Sequence, residues 1–184
     1  MMKITENQLI ENFQNFLISN DLVEKDKCHF SGDDDEHSDV ELTLKLNESW
    51  EEIRNEKIFF EVKSHHSKDS QNTINKVFGQ LLKETGKRKL DEEKECLAIL
   101  FPSESGKWTD SKGMETTKIE GEKYYRRGFS RINKEVFINF GTLVNVKYIF
   151  IFSSSAQILN VFEWENFLNE DSCSILTLNN AQKS

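Results

Sequence analysis

Proline is nearly absent from this chain. Pro102 is its one proline, and only 8 glycines stand among 184 residues. Flexible or extended linkers have little material here, so the chain reads as one domain, 1–184, long enough to bury a core. Cysteine is scarce too. Cys28, Cys96 and Cys173 are odd in number, widely spaced and form no C-x-x-C pair. That argues against a disulfide framework and fits reduced thiols in a cytoplasmic protein. No apolar run approaches the ~18 residues that a membrane span needs, so no membrane partner is expected. The N-terminal segment is polar and amphipathic, unlike a secretory signal. Internal repeats and low-complexity tracts are lacking as well.

Positive charge is in deficit. Lys and Arg number 24 against 32 Asp and Glu, a net charge of −8. A protein that grips nucleic acid over its whole surface is not built this way. The distribution is uneven, however. From Asp21 to Glu61 there are 14 acidic and 5 basic residues; from Lys123 to Lys134 there are 5 basic residues and no acidic one. An acidic centre that holds cations, with a separate basic stretch, suits a metal-dependent enzyme acting on nucleic acid. The overall deficit points to weak autonomous affinity, with recognition supplied by a partner subunit or by dimerisation.

What is present is a core-forming pattern, with 14 Phe and 36% apolar residues. Thr5–Ser19 reads as a helix capped by Thr5, with Leu9, Ile10, Phe13, Phe16 and Leu17 as its buried stripe. Gln71–Glu84 is the clearest helix, with Ile74, Val77, Phe78, Leu81 and Leu82 at helical spacing, Ser70 as N-cap and Gly86 as stop. Cys28–Phe30, Cys96–Phe101, Lys147–Phe152 and Ile158–Phe162 read as strands. Ser130–Phe140 reads as an amphipathic helix with Ile132, Val136, Phe137 and Phe140 inward. Glu163–Leu168 reads as a short helix, and the chain is expected to fray after about Thr177. Trp50 and Ile53 are expected to anchor the polar segment 47–56. Residues 103–135 read as an inserted DNA- or partner-binding segment, polar over 103–121.

Two further strands carry the chemistry. In 38–46, Val40, Leu42, Leu44 and Leu46 alternate with Asp39, Glu41, Thr43 and Lys45. In 57–63, Ile58, Phe60 and Val62 alternate with Phe59, Glu61 and Lys63. Side chains two apart share a face of a strand, so Glu61 and Lys63 point the same way and a neighbouring strand can bring Asp39 to them. Two carboxylates and an ammonium at one point can seat a hard divalent cation and a water, the equipment of metal-assisted phosphodiester hydrolysis. A structural Glu61–Lys63 ion pair is the plainer reading of the second strand.

The order helix, strand with Asp, strand with Glu-X-Lys, amphipathic helix resembles the PD-(D/E)XK nuclease superfamily over roughly residues 5–101. The motifs read Ser38-Asp39-Val40-Glu41 and Glu61-Val62-Lys63-Ser64, with Ser38 where the family name has proline. The resemblance implies an α/β fold with a restriction endonuclease-like core, a mixed central β-sheet flanked by helices. It implies an Mg²⁺-dependent endodeoxyribonuclease of restriction type, with Mn²⁺ able to substitute. Asp39, Glu61 and Lys63 would be catalytic, and the carbonyl of Val62 a further metal ligand. Glu6, on the first helix, matches an auxiliary metal ligand of the superfamily, and also suits a first-turn acid at a helix dipole. Glu41 is a rival or additional ligand. In size and organisation the chain is similar to small catalytic subunits of heterodimeric type IIS restriction endonucleases, whose partner reads the DNA site; a homodimeric restriction or repair nuclease is the next reading. A non-catalytic nucleic-acid or protein-binding module on the same fold stays open.

Contacts to DNA are expected from His65, just past the active strand, and from Gln80 on the second helix. The run Tyr124-Tyr125-Arg126-Arg127-Gly128-Phe129-Ser130-Arg131 interleaves aromatics with arginines, which suits base stacking and phosphate contacts by Tyr125, Arg126, Arg127 and Arg131. Cys28, His29, His37, His65 and His66 show no standard zinc spacing.

Overall fold

Thr5 caps the first helix, α1 (Glu6–Ser19), in the computed structural model, which describes residues 4–30, 39–46, 50, 53, 56–64, 70–87, 89–109, 115–169 and 171–179. Thr5 Oγ1 accepts the Gln8 N–H at 3.2 Å, and Gln8 Oε1 accepts the Thr5 N–H at 3.0 Å. This reciprocal box satisfies two N–H groups that a helix start leaves open. The expected stripe of Leu9, Ile10, Phe13, Phe16 and Leu17 is buried.

The strands follow as β1 (His29–Phe30), β2 (Val40–Leu42), β3 (Lys57–Val62), β4 (Glu95–Pro102), β5 (Gly106–Thr109), β6 (Glu115–Ile119), β7 (Val146–Ser153), β8 (Ile158–Glu163) and β9 (Leu176–Asn179). Seven of them form one mixed sheet in the order β1-β2-β3-β4-β7-β8-β9, while β5 and β6 pair apart. The centre, β3-β4-β7, is parallel, and both flanks are antiparallel. Near-continuous apolar strands belong in such a doubly covered centre. Alternation splits the core in two. Ile58, Phe60, Val62, Ala98, Leu100, Phe150 and Phe152 pack under α1. Phe59, Leu97, Ile99, Phe101, Ile149 and Ile151 face the other way, toward α2 (Ser70–Lys87), α3 (Gly121–Phe129) and α4 (Lys134–Val144). Among the described residues the fold is thus α/β, a seven-stranded mixed sheet between four α-helices, as expected. Trp50 and Ile53 do pack against the α1-side cluster.

Several local expectations give way. α2 runs through Gly86 and ends at Lys87. Within the polar stretch 103–121, Gly106–Thr109 and Glu115–Ile119 pair as antiparallel strands. α3 belongs to the core, not to an insertion, because Tyr124, Tyr125 and Phe129 are buried against the sheet. Its glycines allow that approach: a Cβ on Gly121 would overlap the Pro102 carbonyl, and one on Gly128 would meet Ile74. The next helix starts only at Lys134, where Asn133 Oδ1 accepts the N–H groups of Glu135 at 2.9 Å and Val136 at 3.2 Å. Val136, expected inward, is 58% exposed. The buried stripe is instead Phe137, Gly141 and Val144, because Trp164 stacks on Phe137 at 4.1 Å and lies over Gly141. Residues 164–168 form turns, not a helix. The chain does not fray at Thr177, since β9 pairs with β8 as far as Asn179.

Gly121→Ala is expected to destabilise the protein by about 3 kcal/mol, since the clash is with backbone that cannot rotate away. Gly86→Ala, with open space around its Cβ, is expected to stabilise by about 0.5–1 kcal/mol. Urea unfolding of the two variants checks both signs.

Candidate functional site

Register brings the acidic residues together. β2 and β3 are antiparallel with Val40 opposite Phe60, so Asp39, one residue earlier, stands opposite Glu61. Its Oδ2 accepts the Val62 N–H at 2.7 Å. That bond fixes Asp39 at the edge of β3, where the β2 ladder has ended. Lys63 follows β3, tied by its own N–H to the Leu100 carbonyl at 3.0 Å. Glu61 and Lys63 share the face of Phe59, on the α2 side. Lys63 Nζ lies 2.5 Å from Glu61 Oε1, 3.0 Å from the Val62 carbonyl and 3.7 Å from Glu6 Oε2. Glu6 also accepts the Ser64 N–H at 3.4 Å. So the start of α1, the end of β3 and the start of β2 meet at one point.

The electrostatics are those of a buried site. Glu61 is 5% exposed and Lys63 7%. Burial pushes Glu61 up to about 7 against the pull of Lys63, with Asp39 and Glu84 adding to the rise. Burial likewise pushes Asp39 up to about 6, opposed by the Val62 N–H and by Lys63 and reinforced by Glu6 and Glu84. Burial works against the Lys63 ammonium, yet Glu61, Glu6 and Asp39 together hold its pKa above the ordinary value. Glu61 Oε1 is buried, and among the described residues the Lys63 ammonium at 2.5 Å is the cation that faces it.

The donors are all oxygens: two carboxylates, a backbone carbonyl and the Glu6 carboxylate. Lys63 Nζ sits among them as a cation already does. Such a set fits Mg²⁺, a hard ion that takes one or two carboxylates and keeps several waters. Among the described residues no three His, Cys, Asp or Glu side chains are grouped closely enough to hold a metal ion, so an ion here would rest on two carboxylates, the Val62 carbonyl and waters. Beside the site an open cleft of about 840 Å³ runs between the start of α1 and α2, lined among others by Glu6, Asn7, Lys63, Thr73, Lys76 and Gln80.

The structure therefore gathers Asp39, Glu61, Val62, Lys63 and Glu6, and sets Gln80 on the adjoining wall. Glu41 shares the face of Asp39 but lies farther along β2, where Lys57 Nζ pairs with it at 3.2 Å. His65 lies outside the described residues, as do His37 and His66.

Two of the expected DNA contacts are corrected. Tyr125 is fully buried and stacked on Phe101 at 3.5 Å, so its ring cannot meet a base while the core is intact. Arg126 points into the fold. Its guanidinium donates to the carbonyls of Phe167, Asn169 and Ser172 and to Glu122, and lies over the Phe167 ring. It pins the turns after β8. Arg127 and Arg131 are exposed. Arg126→Ala is expected to lower stability by about 3 kcal/mol through the abandoned carbonyls, which a thermal melt reads as a lowered midpoint.

Sequence reasoning missed Glu84. It is buried on α2 and adds its charge to the surroundings of both Asp39 and Glu61. The signal was its spacing, three residues after Leu81 and seven after Val77, which continues the apolar stripe of the helix. No known protein family matches the chain, and no curated protein or solved structure does so either.

Proposed function

We propose that Asp39, Glu61 and Lys63 form the centre of an Mg²⁺-dependent endodeoxyribonuclease of restriction type, one that relies on a partner subunit or a second copy for site recognition. One observation carries this reading: the buried Glu61 carboxyl, the half-buried Asp39 carboxyl and the buried Lys63 ammonium converge at a strand end beside an open cleft, and both carboxyls are raised. A structural ion pair needs one acid for one base. Burying a second acid at the same point is unfavourable, and strongly perturbed groups at a cleft mark functional sites.

In this reading Asp39 and Glu61, with the Val62 carbonyl, hold Mg²⁺ or Mn²⁺, and Glu6 adds charge at the mouth. A metal held there would supply polarisation of the scissile phosphate and a lowered pKa of an attacking water. The chain does the rest. The Val62 N–H orients the Asp39 carboxylate. Lys63, whose ammonium lies beside Glu61 and the Val62 carbonyl, would orient the water and donate to the phosphate oxygens as negative charge grows on them. Lys76 and Gln80 line the wall along which a strand would lie. The net charge of −8 leaves little general attraction for DNA, which supports the need for a partner or dimer.

The test is supercoiled plasmid incubated with the protein and Mg²⁺ or Mn²⁺, beside a Lys63→Ala control. Metal-dependent nicking or cutting that the control lacks supports the reading. Equal cleavage by both proteins contradicts it.

A further inference from the structure

Among the described residues three large apolar side chains stand open to solvent: Leu82 at 49%, Val136 at 58% and Leu143 at 78%. All three belong to α2 and α4. These helices lie side by side on one face of the sheet, where the rings of Phe78 and Phe140 meet at 4.8 Å. On α4, Val136, Phe140 and Leu143 fall at i, i+4 and i+7, a second apolar stripe beside the buried one of Phe137, Gly141 and Val144. On α2, Phe78 and Leu82 stand one turn apart, outside the buried Ile74, Val77 and Leu81. Phe78 and Phe140 are themselves partly exposed. The seam between the two helices is therefore apolar along its open side. Single exposed leucines need no explanation, whereas a contiguous apolar patch marks an interaction site.

Charges of opposite sign border the seam. On the α2 side the exposed charged residues of the helix are Lys76 and Lys83, and its one carboxylate, Glu84, is buried. Beyond α4 lies a cleft of about 740 Å³, where Gly141 and Thr142 of that helix stand with Glu92, Glu93, Glu163 and Glu165. Lys147, the basic residue in that lining, is paired with Glu56. This polarity selects the occupant. A nucleic acid or an anionic lipid surface is repelled by the glutamate edge. A second copy of the chain answers both edges. Two copies placed face to face, with a two-fold axis running along the helices, set α2 of each against α4 of the other. The seams then cover one another, and each lysine edge lies along a glutamate edge. An axis across the helices would instead set lysines against lysines.

We propose that the α2–α4 seam, with Leu82, Val136 and Leu143, is the surface through which two copies of this chain form a symmetric dimer. The dimer goes beyond the proposed nuclease reading and does not depend on it. It does place a second copy against α2, the helix that also supplies Lys76 and Gln80 to the cleft beside Lys63.

Sedimentation equilibrium of the full chain at about 1–100 µM, with chelator and without DNA, tests it. A monomer–dimer equilibrium within that range is the expected result. Leu143→Glu alters a side chain that one copy leaves open. It is expected to weaken dimerisation by about a hundredfold or more, with an unchanged circular dichroism spectrum. Lys83→Glu is expected to weaken it by about fivefold, and the double variant Lys83→Glu, Glu93→Lys to recover it. A monomer throughout the range overturns the proposal and leaves the seam to a different protein. A dimer that Leu143→Glu and Leu82→Glu both leave intact overturns it as well. Neither result touches metal binding at Asp39 and Glu61, so the two readings fail separately. If Leu143→Glu fails to fold, the charge pair decides: weakening with recovery supports the proposal, and no change in either variant overturns it.

Discussion

Lys63→Ala is expected to lower the metal-dependent cleavage proposed for this site by about a thousandfold, roughly 4 kcal/mol of transition-state stabilisation, while the protein stays folded. The size follows from where the ammonium sits. The Lys63 ammonium lies 2.5 Å from Glu61 Oε1 and 3.0 Å from the Val62 carbonyl, and in a buried site a charge aimed at developing negative charge acts with little screening. The fold survives because the backbone of Lys63, which bonds to Leu100, is untouched, and because Glu61 can take up a proton once its partner is gone. Lys63→Arg does not restore activity, since a planar guanidinium does not fit the place of a compact ammonium that is 7% exposed. Gel analysis of plasmid forms over time, with Mn²⁺ binding measured on the same variant, separates the roles. Lost cleavage with Mn²⁺ still bound assigns Lys63 to the chemistry; cleavage within a few-fold of the unaltered protein removes it.

Glu61→Gln is expected to make the metal-free protein more stable at about pH 8, by roughly 2 kcal/mol, and to abolish the metal-dependent activity proposed for the site. The sign comes from burial. Glu61 is pushed up to about 7 in the fold from an ordinary value of 4.5. Between those values the folded state holds the proton more tightly than the unfolded chain, so this contribution to stability is present at low pH and is lost as pH rises through about 7. Asp39, pushed up to about 6, acts in the same direction over a lower range. Glutamine has no charge to bury and escapes the loss, although Lys63 then forfeits its closest partner, which trims the gain. The chelator-treated protein is therefore expected to unfold at lower urea near pH 8 than near pH 5, and Mg²⁺ at ~100 times its Kd restores about 2.7 kcal/mol. Urea midpoints at the two pH values check this. Equal midpoints for the unaltered protein and Glu61→Gln at the higher pH would show that Glu61 is comfortably ionised, and the strained-site argument would fail.

Much of the layout is legible in the chain because its parts obey local rules. α1 announces itself through a cap and a stripe, and α2 through an unbroken one. Asp39 and Glu61 meet because two strands of period two pair antiparallel, which alternation alone makes plausible. Residues whose partner surface is set by tertiary packing were harder to place. Tyr125 and Arg126 belong to a pattern of aromatics and arginines that reads the same whether it faces a nucleic acid or the core. α3 was hidden because Gly121 and Gly128, which look like breakers, are there for close approach to Pro102 and Ile74. Val136 was misplaced because the choice between it and Phe137 as the buried residue is made by Trp164, far along the chain. Glu84 looked like the polar end of a helix. Only the packing of α2 on β3 shows that its carboxylate is inside.

A Mn²⁺-binding isotherm at about pH 8, for the unaltered chain beside Asp39→Asn and Glu61→Gln, bears on the whole reading without waiting for a DNA-reading partner. Saturable binding that falls by about tenfold or more in each variant, and that fades as pH drops through about 6, is the expected result. No binding by the unaltered chain, or binding that ignores both substitutions, would contradict a metal-dependent site at Asp39 and Glu61.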